Sequence, residues 1–480
     1  MSRLSLSSRG VLAAALTVTA ASVSLTAMST YIYDPMASSF NLDGQVATEV
    51  KAIPTVATVL VVFLAGTLGA RVGQRRVLAW ASTGFWFGAL ITAAAPGVVV
   101  AVIGLCVMGA GASTMSVVAV AMLSTSFTTK EDRANAFSAF GVVPPAVYVV
   151  APIFAGAIVT TTSWRWVALS WVALGIAAWL LSARFLPKDQ QVSGAGEIYT
   201  PLIAGVALAL FVMIPIASNA YGLMSLPVLV LVLSSAAVFA LLLVVHRRIS
   251  NPTLSFAPLR KWRSWALLFV VVTVPITTIW YTAYLAFQYL YGLDALQISV
   301  IMIPAQFAGM IGARVMKPVI PKLGLKSAGI AVLSLLVLIQ LSYLLMNGST
   351  MWFSFVMITL YGFASTGLTV VLANSVMNSA AKQDAGAMSS YRSATSRIGS
   401  TLGTLIIGGV LFTTYDISMA NQEGPTGGTT TSLTAGSITP AEVTAMVESL
   451  HARGLMAAIV TMLSIVAFVL AMRKRAAVEE

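Results

Sequence analysis

Ile53-Pro54 sits in an apolar run, and 19 residues after Pro54 comes Gly73 inside Arg71-Val72-Gly73-Gln74-Arg75. Ile303-Pro304 sits in a second, and 20 residues after Pro304 comes Gly324 inside Lys322-Leu323-Gly324-Leu325-Lys326. Each stretch has the same plan, a helix bent by proline followed by a cation-x-Gly-x-cation turn. Two such units predict a duplicated membrane protein, the arrangement in which a transporter places its site between repeats.

Composition agrees. The 480 residues are 58% hydrophobic and 9% charged, whereas soluble domains carry about 25% charged residues. Apolar runs recur near 11–33, 47–68, 77–95, 98–122, 137–160, 166–183, 200–218 and 224–245, then near 265–290, 296–316, 327–346, 352–376, 386–413 and 454–472. Each is long enough, at about 1.5 Å per residue, to cross a hydrocarbon core of about 30 Å. The expectation is an all-α membrane protein of fourteen transmembrane helices, with the first run a retained span rather than a cleaved signal. Equating the second span with the tenth leaves spans seven and eight as an inserted pair. The predicted organisation is an N-terminal six-helix bundle (1–186), an inserted helix pair with its linkers (187–263) and a C-terminal six-helix bundle (264–480).

Twenty-two of the 27 Lys and Arg fall in alternate loops if the N-terminus is cytoplasmic, leaving Lys51, Arg165 and Arg453 outside and Arg392 and Arg397 within a span. Short loops keep their cations on the cytoplasmic side, so both termini are expected there. The longest outer segment is 415–453, a possible surface for an outside partner. In it Thr439-Pro440-Ala441-Glu442 combines an N-cap, a first-turn proline and a capping-box glutamate, predicting a helix of about three turns at the outer surface. The net charge of +12 is dispersed, giving no nucleic-acid patch, and two His and one Cys (Cys106) supply neither a metal set nor a disulfide. No cofactor is expected, and no triad or embedded acid/base pair suggests an enzyme.

Gly66-Thr67-Leu68-Gly69-Ala70-Arg71-Val72-Gly73-Gln74-Arg75-Arg76 after span two, Met108-Gly109-Ala110-Gly111-Ala112-Ser113 in span four and Ala151-Pro152-Ile153-Phe154-Ala155-Gly156 in span five resemble the motifs of the major facilitator superfamily. Ser163-Trp164-Arg165-Trp166, Arg397-Ile398-Gly399-Ser400-Thr401-Leu402-Gly403 and the inserted pair are similar to its fourteen-helix drug:proton antiporter (DHA2-like) group. The resemblance implies the major facilitator fold, two six-helix bundles plus two inserted helices, and proton-coupled efflux. It also implies a conformational gate at Gly66, Gly69, Arg71, Gly73, Arg75, Arg76, Pro152 and Gly156, and an interfacial belt role for Trp164 and Trp166. Ala70 stands where the family pattern has aspartate, and Leu105 where it has arginine.

Proton coupling calls for a carboxyl within reach of a membrane cavity, and Asp34 and Glu49, at the outer ends of spans one and two, are the candidates. Arg392 and Arg397 lie about 9 and 16 Å along a helix starting near Gly386. An arginine at the bilayer centre costs about 2.5–3.5 kcal/mol on insertion scales, so each needs water, helix-end carbonyls or an anionic ligand. Five residues turn a helix by about 140°, so one ligand is not expected to meet both, and Arg397 is the stronger choice. Tyr31, Tyr33, Trp280, Tyr281, Tyr284 and Gln306 complete the candidate binding set, with Trp280, Tyr284 and Gln288 at i, i+4, i+8.

These features describe a monomeric exporter of an amphipathic small molecule in a bacterial plasma membrane, working by alternating access. Two alternatives stand beside it. One is an exporter or flippase of an anionic envelope lipid or glycolipid, favoured by unpaired Arg397. The other is a scaffold or sensor that keeps the fold without transport, favoured by the absent charges at Ala70 and Leu105.

Overall fold

The computed structural model describes residues 6–42, 53–127, 129–186, 197–249, 254–293, 295–381, 384–423 and 439–473. The described secondary structure is helical throughout: α1 (Leu6–Ser39), α2 (53–60), α3 (Val62–Arg71), α4 (Gln74–Ala93), α5 (Val98–Ser126), α6 (Lys130–Thr161), α7 (Trp164–Phe185), α8 (Tyr199–Tyr221) and α9 (Leu226–Arg248). The series continues with α10 (Trp262–Ile276), α11 (Trp280–Leu285), α12 (Ala295–Ser342), α13 (Met351–Met377), α14 (Ala385–Glu423) and α15 (Pro440–Ala471). Among the described residues nine helices are long and apolar enough to cross a membrane, and 53–69 and Trp262–Ile276 are shorter apolar helices. Helices are what lipid permits, because each satisfies its own backbone donors and acceptors.

Contacts divide the chain into two compact units. Unit 1 comprises Met1–Lys261 and Val376–Ile398, and unit 2 comprises Trp262–Ser375 and Gly399–Glu480. The dividing line therefore runs through α13 and α14.

In unit 1 small residues bring helices together. A Cβ on Gly88 would lie 2.5 Å from the Met108 nitrogen, and one on Gly111 would lie 2.6 Å from the Ala81 oxygen, so α4 and α5 touch backbone to backbone. Helices α8 and α9 are joined by the Ser235 hydroxyl, which donates to the Ala207 carbonyl at 3.0 Å. Leu208 and Val212 of α8 then pack with Val59, Val62, Val117 and Ala394, attaching the pair to α2, α3, α5 and α14. The surface of α9 carries exposed Leu229, Val230, Leu233 and Leu241, an apolar face suited to lipid.

At the start of α7, Trp164 is 2% exposed while Trp166 is 57% exposed. Only Trp166 therefore matches the expected belt. Trp164 turns inward, meets Phe40 edge to face at 5.9 Å and donates its indole N–H to the Ser39 hydroxyl at 3.1 Å. Arg165, expected in an outer loop, lies 4.5 Å over the Trp164 ring and donates to the Ala95 carbonyl at 2.9 Å. One tetrapeptide thus ties the ends of α1, α4 and α7 together.

Unit 2 repeats the turn seen in unit 1. Gly73 precedes α4 with φ 103° and ψ 144°, and Gly324 breaks α12 with φ 79° and ψ 159°. Both lie in a region open essentially to glycine alone. Its other packing is equally close: the Ser464 hydroxyl of α15 donates to Thr273 of α10 at 2.7 Å, and a Cβ on Gly403 of α14 would lie 3.0 Å from the Pro275 oxygen.

The region 415–453 departs from its expected loop form. Helix α14 continues to Glu423, with Tyr415 fully buried, and α15 starts at Pro440. The capping box is present: Glu442 N–H donates to Thr439 Oγ1 at 3.2 Å, and Thr439 N–H donates to Glu442 Oε2 at 2.7 Å. The capped helix does not stop after three turns. It runs 32 residues without interruption, because Ala445, Met446, Leu450 and Arg453 are buried against unit 2 rather than exposed at a surface.

Candidate functional site

A cavity of about 350 Å³ lies among the helices of unit 1. Ser22, Thr26, Ser29 and Tyr33 of α1 form one wall; Pro54, Thr55 and Thr58 of α2 form another; and α5 contributes Leu105, Ala112, Ser113 and Ser116. Pro144 and Tyr148 of α6 and Arg397 of α14 complete the described lining. Ser22, Thr26, Ser29 and Tyr33 recur at i, i+4, i+7 and i+11, so one face of α1 is a continuous hydroxyl stripe. Helix α2 packs tightly on α5, since a Cβ on Gly109 would come 2.6 Å from Thr58 Oγ1 and 3.2 Å from the Pro54 oxygen. Thr58 in turn donates to that Pro54 carbonyl at 2.8 Å.

The electrostatics of the cavity are simple. Among the described residues Arg397 is the one cation in its lining, and no Asp or Glu lines it. Leu105, at the position where the family pattern has arginine, faces the same space and is 1% exposed. A charge absent from α5 is thus matched by one supplied from α14. The Ser113 hydroxyl is buried without a hydrogen-bond partner, leaving a donor and an acceptor available to a ligand. A guanidinium fork beside hydroxyl groups in an otherwise apolar wall can hold a carboxylate, a phosphate or a strong neutral acceptor.

Helix α14 is held in place by its own first turns. The Ser389 hydroxyl donates to the Val117 carbonyl at 2.6 Å, Ser390 donates to Val62 at 2.9 Å, and the Tyr391 hydroxyl donates to Ser255 at 3.0 Å. Gly66 permits this seating, because any Cβ there would overlap the Gly386 carbonyl and the Ser390 side chain. Its role in this conformation is a helix contact. Gly69 makes an ordinary contact with Val118, and Arg75 donates to the Ala183 carbonyl at the end of α7. Arg71 closes α3, Gly73 forms the turn and Arg76 lies in the first turn of α4. A Cβ on Gly156 would meet nothing within 4 Å, so α6 is not closely packed at that residue.

Several predicted residues lie elsewhere. Arg392 is partly buried on α14 and Tyr31 partly buried on α1, and neither lines the described cavity. Tyr33, the other tyrosine expected from α1, does line it. Trp280, Tyr284 and Gln306 belong to unit 2. Trp280 begins α11 and meets Tyr361 edge to face at 5.8 Å. The segment Ala286–Leu290 is a π-helical turn, which takes Gln288 out of the i, i+4 register with Tyr284. Glu49 lies outside the described residues, as do the side chains of Asp34 and Pro152. Among the described residues no group of three or more His, Cys, Asp or Glu is placed to hold a metal.

Sequence reasoning passed over Tyr148, Ser113 and the α1 stripe. The heptad-like spacing of hydroxyl residues from Ser22 to Tyr33 was the available signal, hidden because Ser and Thr also occur along membrane helices as satisfied backbone partners. It also placed Arg453 in an outer loop. That side chain is 0% exposed, inside unit 2.

Comparison with known proteins supports the same architecture. The human organic anion transporter MFSD10 (TETRAN) superposes with a TM-score of 0.65 at 13% identity, over 97% of this chain and 100% of that one. A bacterial homologue of the iron transporter ferroportin in an outward-facing state gives 0.62 at 13% identity, over 98% and 100%. In sequence, Multidrug resistance protein Stp of Mycobacterium tuberculosis is 23% identical over 72% of this chain and 65% of its own length. Puromycin resistance protein pur8 of Streptomyces alboniger is 28% identical over 40% of this chain and 38% of its own. The chain thus spans less than two thirds of the length of these two relatives. The pattern of the Major Facilitator Superfamily matches residues 11–404, and the chain is a member of that superfamily of secondary transporters.

Proposed function

We propose that this transporter exports an amphipathic small molecule by alternating access, with the acceptor or anionic end of the substrate at Arg397. The observation that carries the reading is the unit 1 cavity, whose described lining offers one guanidinium and a stripe of hydroxyl groups. Its volume of about 350 Å³ falls within the range of small-molecule sites, about 300–1,000 Å³. The names of the drug-resistance relatives support export. In this reading the chain crosses the plasma membrane of a bacterium fourteen times, in a six, two, six arrangement with both termini cytoplasmic, and Asp34 and Glu49 are the acids available for proton coupling.

A second reading is favoured by a neighbouring feature. An apolar cavity of about 380 Å³ is lined by Met28 of α1, by Val147, Val150 and Phe154 of α6 and by Leu174 of α7. The hydroxyls of Ser24 and Ser170, also in its lining, donate to carbonyls of their own helices. Helices α1 and α6 contribute to both cavities, and on α1 the polar and the apolar linings lie on opposite faces. An envelope lipid would use the polar cavity for its anionic head and an apolar surface of the same unit for its acyl chain.

The test is flux from proteoliposomes under an imposed pH gradient, with a cationic dye and a labelled anionic lipid, for wild type, Arg397→Ala and Asp34→Asn. Dye export lost in Asp34→Asn supports proton-coupled drug efflux. Lipid movement lost in Arg397→Ala without dye flux supports the lipid reading. Flux of neither probe from a folded protein counts against both and favours the scaffold alternative.

A further inference from the structure

Helix α10 ends at Ile276, one residue after Pro275, and α11 starts at Trp280. In an unbroken helix the carbonyls of Thr277 and Thr278 would accept the N–H groups of Tyr281 and Thr282. Here they accept from an arginine. Arg453 Nη2 donates to Thr277 O at 3.0 Å and to Thr278 O at 2.5 Å, and Nη1 donates to the side-chain oxygen of Gln340. Gln340 returns its own N–H to Thr277 O at 2.7 Å.

The Tyr343 ring lies 5.3 Å from the guanidinium, and Arg453 has no exposed surface. Among the described residues its partners are carbonyls, an amide and an aromatic face. A full charge is buried to satisfy backbone that a break in the helix has left open, which is the condition under which membrane proteins tolerate irregular backbone. The Arg453 Nε–H is buried without an acceptor, a donor not used in this conformation. Trp280, the first residue past the break, packs on Tyr361.

We propose that Arg453 is a positioning residue, the pin of a hinge at Thr277–Ile279 that sets the angle of α11 and therefore the placement of Trp280 and Tyr284. Lysine keeps the charge but cannot present the planar fork that spans three acceptors. Loosening the pin therefore frees α11 locally without removing the cation from the interior.

The experiment is hydrogen–deuterium exchange on the full chain in lipid nanodiscs, comparing wild type, Arg453→Lys, Arg453→Met and Gln340→Ala, with thermal unfolding measured in parallel. In Arg453→Lys, exchange of the amides of 280–285 rises about tenfold or more, α5 is unchanged, and Tm stays within about 3 °C of wild type. Gln340→Ala raises exchange in the same peptide by a smaller factor. Wild-type protection in both Arg453 variants overturns the proposal. An exchange increase spread evenly over α10, α12, α13 and α15 overturns it too, as does failure of all three variants to fold, because either assigns Arg453 to packing alone.

Discussion

Gly73 and Gly324 hold the same backbone conformation, φ 103° and ψ 144° in one and φ 79° and ψ 159° in the other. Each stands between two cations at the end of an apolar stretch that contains a proline, and a Cβ on Gly324 would meet nothing within 4 Å. At Gly324 the need for glycine is thus a matter of torsion angles rather than space.

Gly73→Ala and Gly324→Ala are each expected to cost about 1–3 kcal/mol through backbone strain. The two effects should add in the double variant, since the turns belong to separate units and share no partner. Thermal unfolding in detergent checks this. Full stability in Gly324→Ala would mean that the turn relaxes into another conformation.

Arg397 and Leu105 line one cavity, and they lead to opposite expectations. Arg397→Ala should lower affinity for an anionic ligand by about tenfold or more, with Arg397→Lys intermediate, because a charge-assisted bond of about 1.5–3 kcal/mol is lost. Leu105→Arg places a second guanidinium in a space whose described lining holds no carboxylate and should reduce the yield of folded protein. Binding measured by isothermal titration, together with the monodisperse fraction on size exclusion, distinguishes the two.

Gly66→Ala drives a methyl group into the Gly386 carbonyl and the Ser390 hydroxyl. Overpacking of this kind costs about 1–3 kcal/mol, and more where the obstacle is backbone. The expected result is a lowered Tm together with weaker protection of α14's first turns in hydrogen exchange. An unchanged Tm would show that α14 shifts freely.

Trp164 and Arg165 act together at the ends of α1, α4 and α7. Trp164→Phe removes the indole bond to Ser39 and weakens the cation–π contact with Arg165. The expected loss is about 1–2 kcal/mol, and Arg165→Ala in the Trp164→Phe background should cost less than Arg165→Ala alone. A double-mutant cycle on thermal stability measures the coupling, and zero coupling would rule out the shared role.

Much of the fold was readable from residue order. Apolar runs, the paired Pro54/Gly73 and Pro304/Gly324 units and the Thr439–Glu442 cap are local patterns, set by what bilayer and backbone each demand of neighbouring residues. The candidate site was legible in part. Arg397 was apparent because a charge deep in an apolar run is conspicuous, whereas Ser113 and Tyr148 carry no such mark. The length of α15 was misread because a polar stretch around Glu448, His451 and Arg453 looks like a surface when its partners are unknown.

The sequence alone determined that the chain is helical and embedded, because hydropathy and backbone hydrogen bonding act over a few residues at a time. Tertiary structure alone decided which polar groups face one another. It brought Arg397 to the cavity that Leu105 lines and placed Arg453 on the open carbonyls of Thr277 and Thr278. Arg453 and Thr277 are 176 residues apart in the chain. Packing brings such pairs together, and the low dielectric of the interior then makes each one costly to leave unsatisfied.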